Sequence, residues 1–228
     1  MAEKLKVYQI YYSDKTKENC FHGRDWWIPY NNEGNLTPFF ENEVINRGFI
    51  LSFQNECEYL GVFSHDIAQE IKFKEGNLSF SPENLRSVIG DHDVYSFQKR
   101  RHQKNIVLQA ENYHPGIVEY TKKILGEIGY DLPKKLDKIV LFNHFVMRPD
   151  IYEEYYNQML GPAIEVMSQM DELHKDAGYR RLSGKKANFT LTDNQGNEYS
   201  HYPYHPFICE RLVSVWLQYN NYSFKHIF

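Results

Sequence analysis

The chain has 228 residues, of which 42% are hydrophobic and 25% are charged, and these ordinary globular proportions exclude an intrinsically disordered chain. The formal net charge of −4 excludes a broadly basic surface for nucleic acid, although a local basic patch stays open. No apolar run approaches the ~20 residues of a membrane-spanning helix, and the first residues lack a signal-peptide pattern. Three widely spaced cysteines without a CxxC pair fit neither a disulfide framework nor a zinc ribbon. We therefore expect a cytoplasmic protein.

The first part of the chain alternates predicted strands with a helix. A strand is predicted over Leu5–Tyr12, and the long irregular stretch from Ser13 to Leu36 that follows it is a candidate functional loop. A helix is predicted to begin at Thr37-Pro38 and to end just before Gly48. The nearly continuous apolar run from Tyr59 to Phe63 is typical of a central strand buried on both faces.

The same alternation continues through the middle of the chain. Ser81-Pro82-Glu83 predicts the start of a helix that ends at Gly90, and a strand is predicted over residues 94–97. A basic loop is predicted at residues 98–104, and a helix from Pro115 to Ile128.

The last third of the chain is predicted to be mostly helical. Residues 141–147 predict a strand or a strand-like turn, and the long helix after them should be kinked or divided at Pro162. Residues 188–202 predict two short strands about a turn, and a last helix is predicted from His205 to Gln218. Together these elements predict one α/β domain whose mixed, mostly parallel sheet is flanked by helices.

Ser64, His65 and Asp66 follow the predicted central strand where it ends. Ligands of open α/β sheets bind beyond the carboxyl ends of the strands. Because His and Asp are ligands for divalent cations and a hydroxyl hydrogen-bonds to phosphate, this segment is a candidate ligand site. The alternative is an ordinary polar strand end in which Asp66 caps the next segment.

Asp91, His92 and Asp93 resemble a metal motif, because carboxylates two residues apart share one face of an extended segment. They precede a predicted strand, however, and so should lie at the amino edge of the sheet. A helix stop at Gly90 followed by a turn is the alternative interpretation.

Two predicted loops combine cationic with polar or aromatic side chains. Arg24 pairs well with phosphate and Trp27 stacks on a base or sugar, unless the Trp-Trp pair at 26–27 simply covers the core. Residues 99–104, which include Arg100, suit a diphosphate or form a solvated loop.

Three later positions place polar side chains beside predicted elements. His114 precedes a helix whose free N–H groups suit an anion, or it is only a helix start. Asn143 and His144 interrupt a strand and could hydrogen-bond to sugar hydroxyls, or a backbone partner satisfies a buried Asn. Glu210 and Arg211 are adjacent in a helix and point about 100° apart, so we expect them not to pair with each other.

Several common nucleotide and hydrolase motifs are missing from the chain. None of GxGxxG, GxxxxGK[ST], HExxH and GxSxG occurs. Their absence disfavours nucleotide-dependent dehydrogenases, P-loop enzymes, zincins and α/β-hydrolases.

Three segments, taken in order, resemble bacterial polysaccharide-building glycosyltransferases of the GT-A type. They are a Y-x-G strand at Tyr59–Gly61, an N-x-F-V strand at Asn143–Val146 and an E-R-L helix at Glu210–Leu212. The resemblance extends from about Pro38 onward and implies a single GT-A-like, Rossmann-like domain over residues 1–228. It also implies a donor-binding half at residues 1–110 and an acceptor-side half at residues 111–228.

The resemblance implies a divalent cation as well. In these enzymes an Asp-x-Asp motif after a central strand holds Mn²⁺ or Mg²⁺ on the donor diphosphate. Ser64-His65-Asp66 occupies that place, and only Asp66 matches. The implied metal ligands are therefore His65 and Asp66, unless the site dispenses with metal.

Sugar transfer needs a base for the acceptor hydroxyl and positive charge for the leaving diphosphate. The expected catalytic residues are Asp93, His114 and Glu210. The expected donor-binding residues are Tyr11, Arg24, Asp25, Ser64, His65, Asp66 and Arg100. The expected acceptor-binding residues are Trp27, Asn143, His144 and His205.

These expectations describe a glycosyltransferase that moves a sugar from a nucleotide-sugar donor to a hydroxyl acceptor. The acceptor is a surface glycan or, in a variant of the hypothesis, a modified nucleobase in phage DNA. The alternative is a non-catalytic carbohydrate- or nucleotide-binding protein on the same scaffold. A glycoside hydrolase is disfavoured because we find no persuasive pair of opposed carboxylates. The aromatic residues, at 16% of the chain, suit stacking on a sugar or base where they flank polar candidates.

Overall fold

The structure is a computed structural model that describes residues 3–35, 38–46, 56–67, 80–97, 105–175, 191–192, 198–199 and 203–227. The strands are β1 (Glu3–Tyr11), β2 (Trp27–Asn31), β3 (Cys57–Ser64), β4 (Val94–Ser96), β5 (Phe145–Met147), β6 (Leu191–Thr192), β7 (Glu198–Tyr199) and β8 (Phe224–His226). The helices are α1 (Asp14–Lys17), α2 (Glu41–Asn46), α3 (Pro82–Val88), α4 (Ile106–Ala110), α5 (Ile117–Glu127), α6 (Pro149–Tyr155), α7 (Gly161–Ser168), α8 (Glu172–Lys175) and α9 (His205–Tyr219). Among these described helices, none is long and apolar enough to cross a membrane.

The main sheet has six strands in the order β2-β1-β3-β5-β4-β8. β1 runs parallel to β2 and β3, and β8 runs parallel to β4. β5 is antiparallel to both of its neighbours, β3 and β4. Five strands therefore share one direction and β5 alone is reversed, which confirms the predicted mixed, mostly parallel sheet flanked by helices.

Most predicted elements are present close to their expected positions. β3 contains the whole apolar run from Tyr59 to Phe63, all of it buried, and lies inside the sheet as predicted. α3 begins after Ser81, whose hydroxyl accepts a hydrogen bond from the Asn84 N–H at 3.2 Å. α9 buries the predicted inward face, of which Ile208 and Trp216 are fully buried examples. The short antiparallel pair of β6 and β7 confirms the two predicted short strands.

The prediction of one irregular stretch from Ser13 to Leu36 is wrong. It contains α1, capped by the Ser13 hydroxyl, and β2, which pairs in parallel with β1. Pro29 hides this strand from a sequence pattern, because Pro lacks the N–H that a central strand needs. β2 tolerates it because it lies at the edge of the sheet.

Pro162 divides the long helical region as predicted. Immediately before it, residues Tyr156–Leu160 form a π-helical turn that connects α6 to α7. The Gly161 N–H bonds to the Tyr156 carbonyl five residues earlier. Because Pro162 has no N–H to donate, the wider turn accommodates the break in the α-helical hydrogen-bond ladder.

Apolar side chains bury both faces of the sheet. On one face Leu60 and Val62 of β3 pack with the interior sides of α5, α6, α7 and α9. On the other face Tyr59 and Phe63 pack with Trp27 and α3. The three cysteines are buried and free, as expected for a chain without a disulfide framework.

Some predictions concern residues that the structure does not describe. The basic loop at 98–104, with Arg100, lies outside the described residues. Thr37 and Gly48, the predicted limits of the first helix, lie outside them as well. Most of the predicted hairpin segment around β6 and β7 lies outside them too.

Candidate functional site

A cleft of about 180 Å³ opens at the carboxyl end of β3. Six of its lining residues are candidates from the sequence: Ser64, His65, Asp66, Asn143, His144 and Glu210. Four others were missed: Glu41, Asn42, Phe142 and Pro206. Segments more than a hundred residues apart in sequence therefore meet in one place, at the edge where open α/β sheets bind ligands.

The sheet topology explains this meeting. β3 ends at Ser64, which leaves His65 and Asp66 beyond its carboxyl end. Because β5 is antiparallel to β3, the residues that precede it, Asn143 and His144, lie at the same edge. The first turn of α2 and the first two turns of α9 supply the remaining walls.

The three residues after β3 form a compact polar turn. The Ser64 hydroxyl donates a hydrogen bond to Asp66 Oδ1. His65 Nδ1 lies 4.0 Å from the same Asp66 oxygen, and this ring nitrogen is buried with no hydrogen-bond partner. The His65 ring also contacts the edge of Tyr12, with ring centroids 6.3 Å apart. A hydroxyl, an imidazole nitrogen and a carboxylate are thus gathered where an anionic or metal-bound ligand would meet them.

Strained backbone borders the cleft. Among the described residues other than glycine, only Phe40, Phe142 and Asn143 have positive φ, at 51°, 57° and 55°. Phe142 and Asn143 line the cleft, and Phe40 directly precedes the lining residue Glu41. Bulky residues avoid this conformation, and retained strain of this kind clusters at functional sites. The strained backbone and the polar side chains thus both identify this cleft as the candidate functional site.

His144 is almost fully buried beside Phe142, with the two ring centroids 5.9 Å apart. Burial lowers its pKa to about 4, although the negative charge of Asp66 acts in the opposite direction. The ring is therefore neutral near pH 7, and a neutral imidazole can donate a hydrogen bond from one nitrogen and accept one at the other. Sugar hydroxyls need partners of both kinds.

Glu41 is the most informative residue that the sequence analysis missed. It lies in the first turn of α2, beside Tyr12 and Asp66. Burial raises the pKa of the Glu41 carboxyl, and the charge of Asp66 adds to this effect. Burial also raises the pKa of the Tyr12 hydroxyl, and the Glu41 charge raises it further. An acidic residue at a helix start is common, so its position in the sequence gave no signal of this environment.

The expectation that Glu210 and Arg211 do not pair is wrong. Arg211 folds back along α9, so that its Nη1 donates to Glu210 Oε1 and, at 2.5 Å, to the Phe207 carbonyl. The side chains are only 11% and 7% exposed, so burial favours the pair despite their different directions from the helix axis. The ion pair fixes the orientation of Glu210 at the cleft wall.

The cleft offers few ligands for a metal ion. His65 and Asp66 supply one nitrogen and one carboxylate, which suit Mn²⁺ or Mg²⁺. Within the described parts of the chain, no group of three or more His, Cys, Asp or Glu side chains is arranged to hold a metal. Among the described residues, His65 and Asp66 therefore form at most part of a cation site.

Four of the predicted donor and acceptor residues do not line the cleft. Arg24 and Asp25 lie before the amino end of β2, where Arg24 pairs with Glu83 of α3. Trp27 is 1% exposed and donates to Gln9 Oε1 at 2.8 Å, so it belongs to the core. Tyr11 ends β1 with its ring 5.6 Å from Lys17 Nζ. Arg24, Trp27 and Tyr11 thus have partners within the fold, and Asp25 is exposed.

Three further predicted residues also lie outside the lining. Asp93 is at the amino edge of the sheet, as its position before β4 indicated, and accepts from the Ser223 hydroxyl at 2.7 Å. His114 stacks on Phe207 with centroids 3.9 Å apart. His205 is fully buried and packs edge-on against Phe39. Of the three predicted catalytic residues, only Glu210 reaches the cleft.

Comparison of the chain with models of known protein families, with curated proteins and with solved structures finds no match. We therefore interpret the cleft from its own residues and their chemistry.

Proposed function

We propose that the protein is a glycosyltransferase that uses a nucleotide-sugar donor and transfers the sugar to a hydroxyl group in the cleft. The observation that carries the proposal is the meeting of Ser64–Asp66, Asn143-His144 and Glu210 around one cavity. The sequence pattern alone marks each of these segments as a candidate ligand site. They supply groups for a diphosphate, for sugar hydroxyls and for an acceptor proton.

The sheet supports the proposal at a coarser level. The GT-A resemblance implies a mixed, mostly parallel sheet, and the sheet has five parallel strands with one reversed strand. The candidate donor segment follows the carboxyl end of β3, inside the sheet. This is the place where open α/β sheets bind phosphorylated ligands.

The charge of the cleft favours a cation-dependent donor. Glu41, Asp66 and Glu210 line it, whereas the described lining contains no Lys or Arg. A nucleotide diphosphate would meet carboxylates there, which is unfavourable without a positive counter-charge. His65 and Asp66 would hold Mn²⁺ or Mg²⁺ together with diphosphate oxygens and water. When bound, the cation would neutralise the charge that develops on the leaving diphosphate.

Glu210 is the residue we assign to the acceptor. In the transfer step the bond between the sugar C1 and the diphosphate oxygen breaks, and a bond forms between C1 and the acceptor oxygen. The acceptor hydroxyl loses its proton, and Glu210 takes it. The pairing with Arg211 keeps this carboxylate turned toward one place. Neutral His144 and Asn143 would hold sugar hydroxyls through hydrogen bonds.

Turnover tests the assignment. The wild-type protein is incubated with UDP-, GDP-, CDP- and dTDP-sugars, with and without Mn²⁺, and release of the nucleoside diphosphate is measured. Glycan and hydroxymethylated-DNA acceptors are added in separate arms, which distinguishes the two acceptor classes.

Two variants, each of which removes one carboxylate charge, test whether turnover depends on Glu210 in particular. Glu210→Gln should lower turnover about a hundredfold or more, the usual contribution of a general base. Glu119→Gln removes an exposed carboxylate of α5 and should leave turnover unchanged. Release of no nucleoside diphosphate from any donor would contradict the proposal, and binding without turnover would identify the non-catalytic alternative.

A further inference from the structure

We propose that Gln9 is a positioning residue, which sets the geometry of the Ser64–Asp66 turn without contacting the ligand. Gln9 lies in β1, is fully buried and is not among the residues that line the cleft. The inference rests on the proposed function only where ligand affinity is the readout.

The Gln9 amide makes four hydrogen bonds to three separate segments. Its Nε2 donates to the His65 carbonyl at 3.0 Å and to the Asn19 carbonyl at 3.4 Å. Its Oε1 accepts from the Phe21 N–H at 2.9 Å and from Trp27 Nε1 at 2.8 Å. The amide therefore connects the turn after β3 to the segment before β2 and to β2 itself.

The orientation of this amide is unambiguous. Two of its partners are carbonyl oxygens, which only accept, and the other two are N–H groups, which only donate. Turning the amide over would oppose like groups at all four contacts. The side chain thus has one satisfied arrangement, and its direction follows from its partners.

The bond to His65 acts on the turn through the peptide plane. The His65 carbonyl and the Asp66 N–H belong to one planar peptide unit. Holding the carbonyl at 3.0 Å therefore also fixes the direction in which the chain continues to Asp66. This determines how the Asp66 carboxylate meets the Ser64 hydroxyl and His65 Nδ1.

The sequence context makes a purely structural role a poor explanation. Leu5 and Val7 occupy the same face of β1 and are fully buried apolar residues of the core. A buried amide at the next position is costly unless every polar atom is paired. Trp27 Nε1 and the Phe21 N–H account for the acceptor oxygen alone. The shorter of the two bonds that the donor nitrogen makes goes to the turn at His65, at 3.0 Å against 3.4 Å to Asn19.

Two substitutions separate these contacts. Gln9→Met has a similar length and removes all four hydrogen bonds. Gln9→Glu keeps both acceptor contacts, to Phe21 and Trp27, but presents an oxygen to the His65 carbonyl. If the buried charge of Gln9→Glu prevents folding, Gln9→Met still decides the question.

Tyr95→Phe is the matched control. The Tyr95 hydroxyl is another buried polar centre with four hydrogen bonds, accepting from the N–H groups of Gly90, Asp91 and His92 and donating to Asp91 Oδ1. It lies at the opposite, amino edge of the sheet. We expect its removal to destabilise the fold in a comparable way without acting on the cleft.

Two readouts are made on folded protein. One is the Kd of a nucleotide sugar with Mn²⁺, measured by calorimetry well below the unfolding temperature. The other is the NMR resonance of the His65 imidazole in ligand-free protein, assigned by its loss in His65→Gln.

We expect both Gln9 variants to raise the Kd about tenfold and to shift the His65 resonance, whereas Tyr95→Phe changes neither. A Gln9→Met protein with wild-type affinity and an unchanged His65 resonance would overturn the proposal. So would a Gln9→Glu protein that behaves like wild type, because the contact to His65 would then have no role. If the wild type binds no nucleotide sugar, the proposed function fails, and the His65 resonance alone decides the role of Gln9.

Discussion

Replacing Phe142 by Gly separates the effect of the strained turn on the free energy of unfolding from its effect on ligand binding. Phe142 has a φ of 57° and lines the cleft, and its side chain is 38% exposed. The following residue, Asn143, also has positive φ, and the His144 N–H closes the turn on the Leu141 carbonyl at 3.2 Å. Gly adopts this conformation without a steric penalty, so Phe142→Gly removes strain from the folded state.

The size of the effect follows from three contributions. Relief of the left-handed conformation stabilises the folded state by about 1–2 kcal/mol. The greater freedom of Gly in the unfolded chain costs roughly 0.5–1 kcal/mol. Loss of the ring contact with His144 costs roughly another 0.5 kcal/mol, since the Phe142 ring is partly exposed. The net change in the free energy of unfolding therefore lies between a loss of about 0.5 kcal/mol and a gain of about 1 kcal/mol for the variant.

Tyr113→Gly is a close control, because Tyr113 is 41% exposed, lies in a turn and is not among the positive-φ residues. It bears the same entropic cost with no relief of strain, so we expect a loss of about 1 kcal/mol. Urea unfolding followed by Trp fluorescence gives both values. Calorimetry with a nucleotide sugar and Mn²⁺ should show weaker binding for Phe142→Gly and unchanged binding for Tyr113→Gly.

The comparison refutes the reasoning if Phe142→Gly destabilises the protein as much as Tyr113→Gly does. In that case the turn stores no strain. Unchanged ligand affinity in Phe142→Gly, with a stability in the expected range, would instead show that the ring is not part of the binding surface of the cleft.

Two further predictions concern the buried surroundings of the cleft. Burial lowers the pKa of His144 to about 4, so below the ordinary value of 6.5 the unfolded chain takes up a proton that the folded chain does not, and stability falls as the pH falls toward 4. Between pH 6.5 and 5 the wild type should therefore lose about 1.5 kcal/mol more than His144→Gln, as measured by urea unfolding at each pH. Parallel losses in both proteins would contradict the assignment. In Gly61→Ala the new Cβ would lie 2.8 Å from Val146 Cγ1 and 3.1 Å from the Phe63 ring, which should destabilise β3 by about 1–3 kcal/mol. Adding Val146→Ala should recover part of that loss, and a purely additive double variant would show that the two positions do not clash.

The sequence was most informative where one local pattern determined one element. The apolar run of β3 required burial on both faces, and the Ser81-Pro82-Glu83 sequence matched a capped helix start. Both features depend on residues that lie next to each other in the chain. The position of Ser64–Asp66 at a strand end followed directly from the first of them.

Contacts between distant segments were predicted less well. Arg24 looked like a phosphate ligand, but its partner is Glu83, fifty-nine residues later in the chain. β2 was hidden by Pro29, which only the edge position makes tolerable, and β8 is a three-residue strand at the other edge. No local pattern shows which edge a short strand will occupy.

The lining of the cleft shows the same division. His144 and Glu210 were selected because polar side chains interrupt a strand or an apolar helix. Glu41 was missed because a helix start commonly carries an acidic residue, and its burial arises from the packing of α2 beside Tyr12 and the turn after β3. The pairing of Glu210 with Arg211 depends on side-chain conformation, which helical geometry alone does not determine.

The most direct test of the central claim is the unfolding temperature of wild type, Asp66→Asn and Asp91→Asn with each nucleotide sugar and Mn²⁺. Asp66 lines the cleft at the carboxyl edge of the sheet, and Asp91 lies at the opposite edge. We predict that at least one nucleotide sugar raises the unfolding temperature of wild type and Asp91→Asn, and that it leaves that of Asp66→Asn unchanged. The account is contradicted if no nucleotide sugar stabilises the wild type, or if stabilisation is lost in Asp91→Asn and kept in Asp66→Asn.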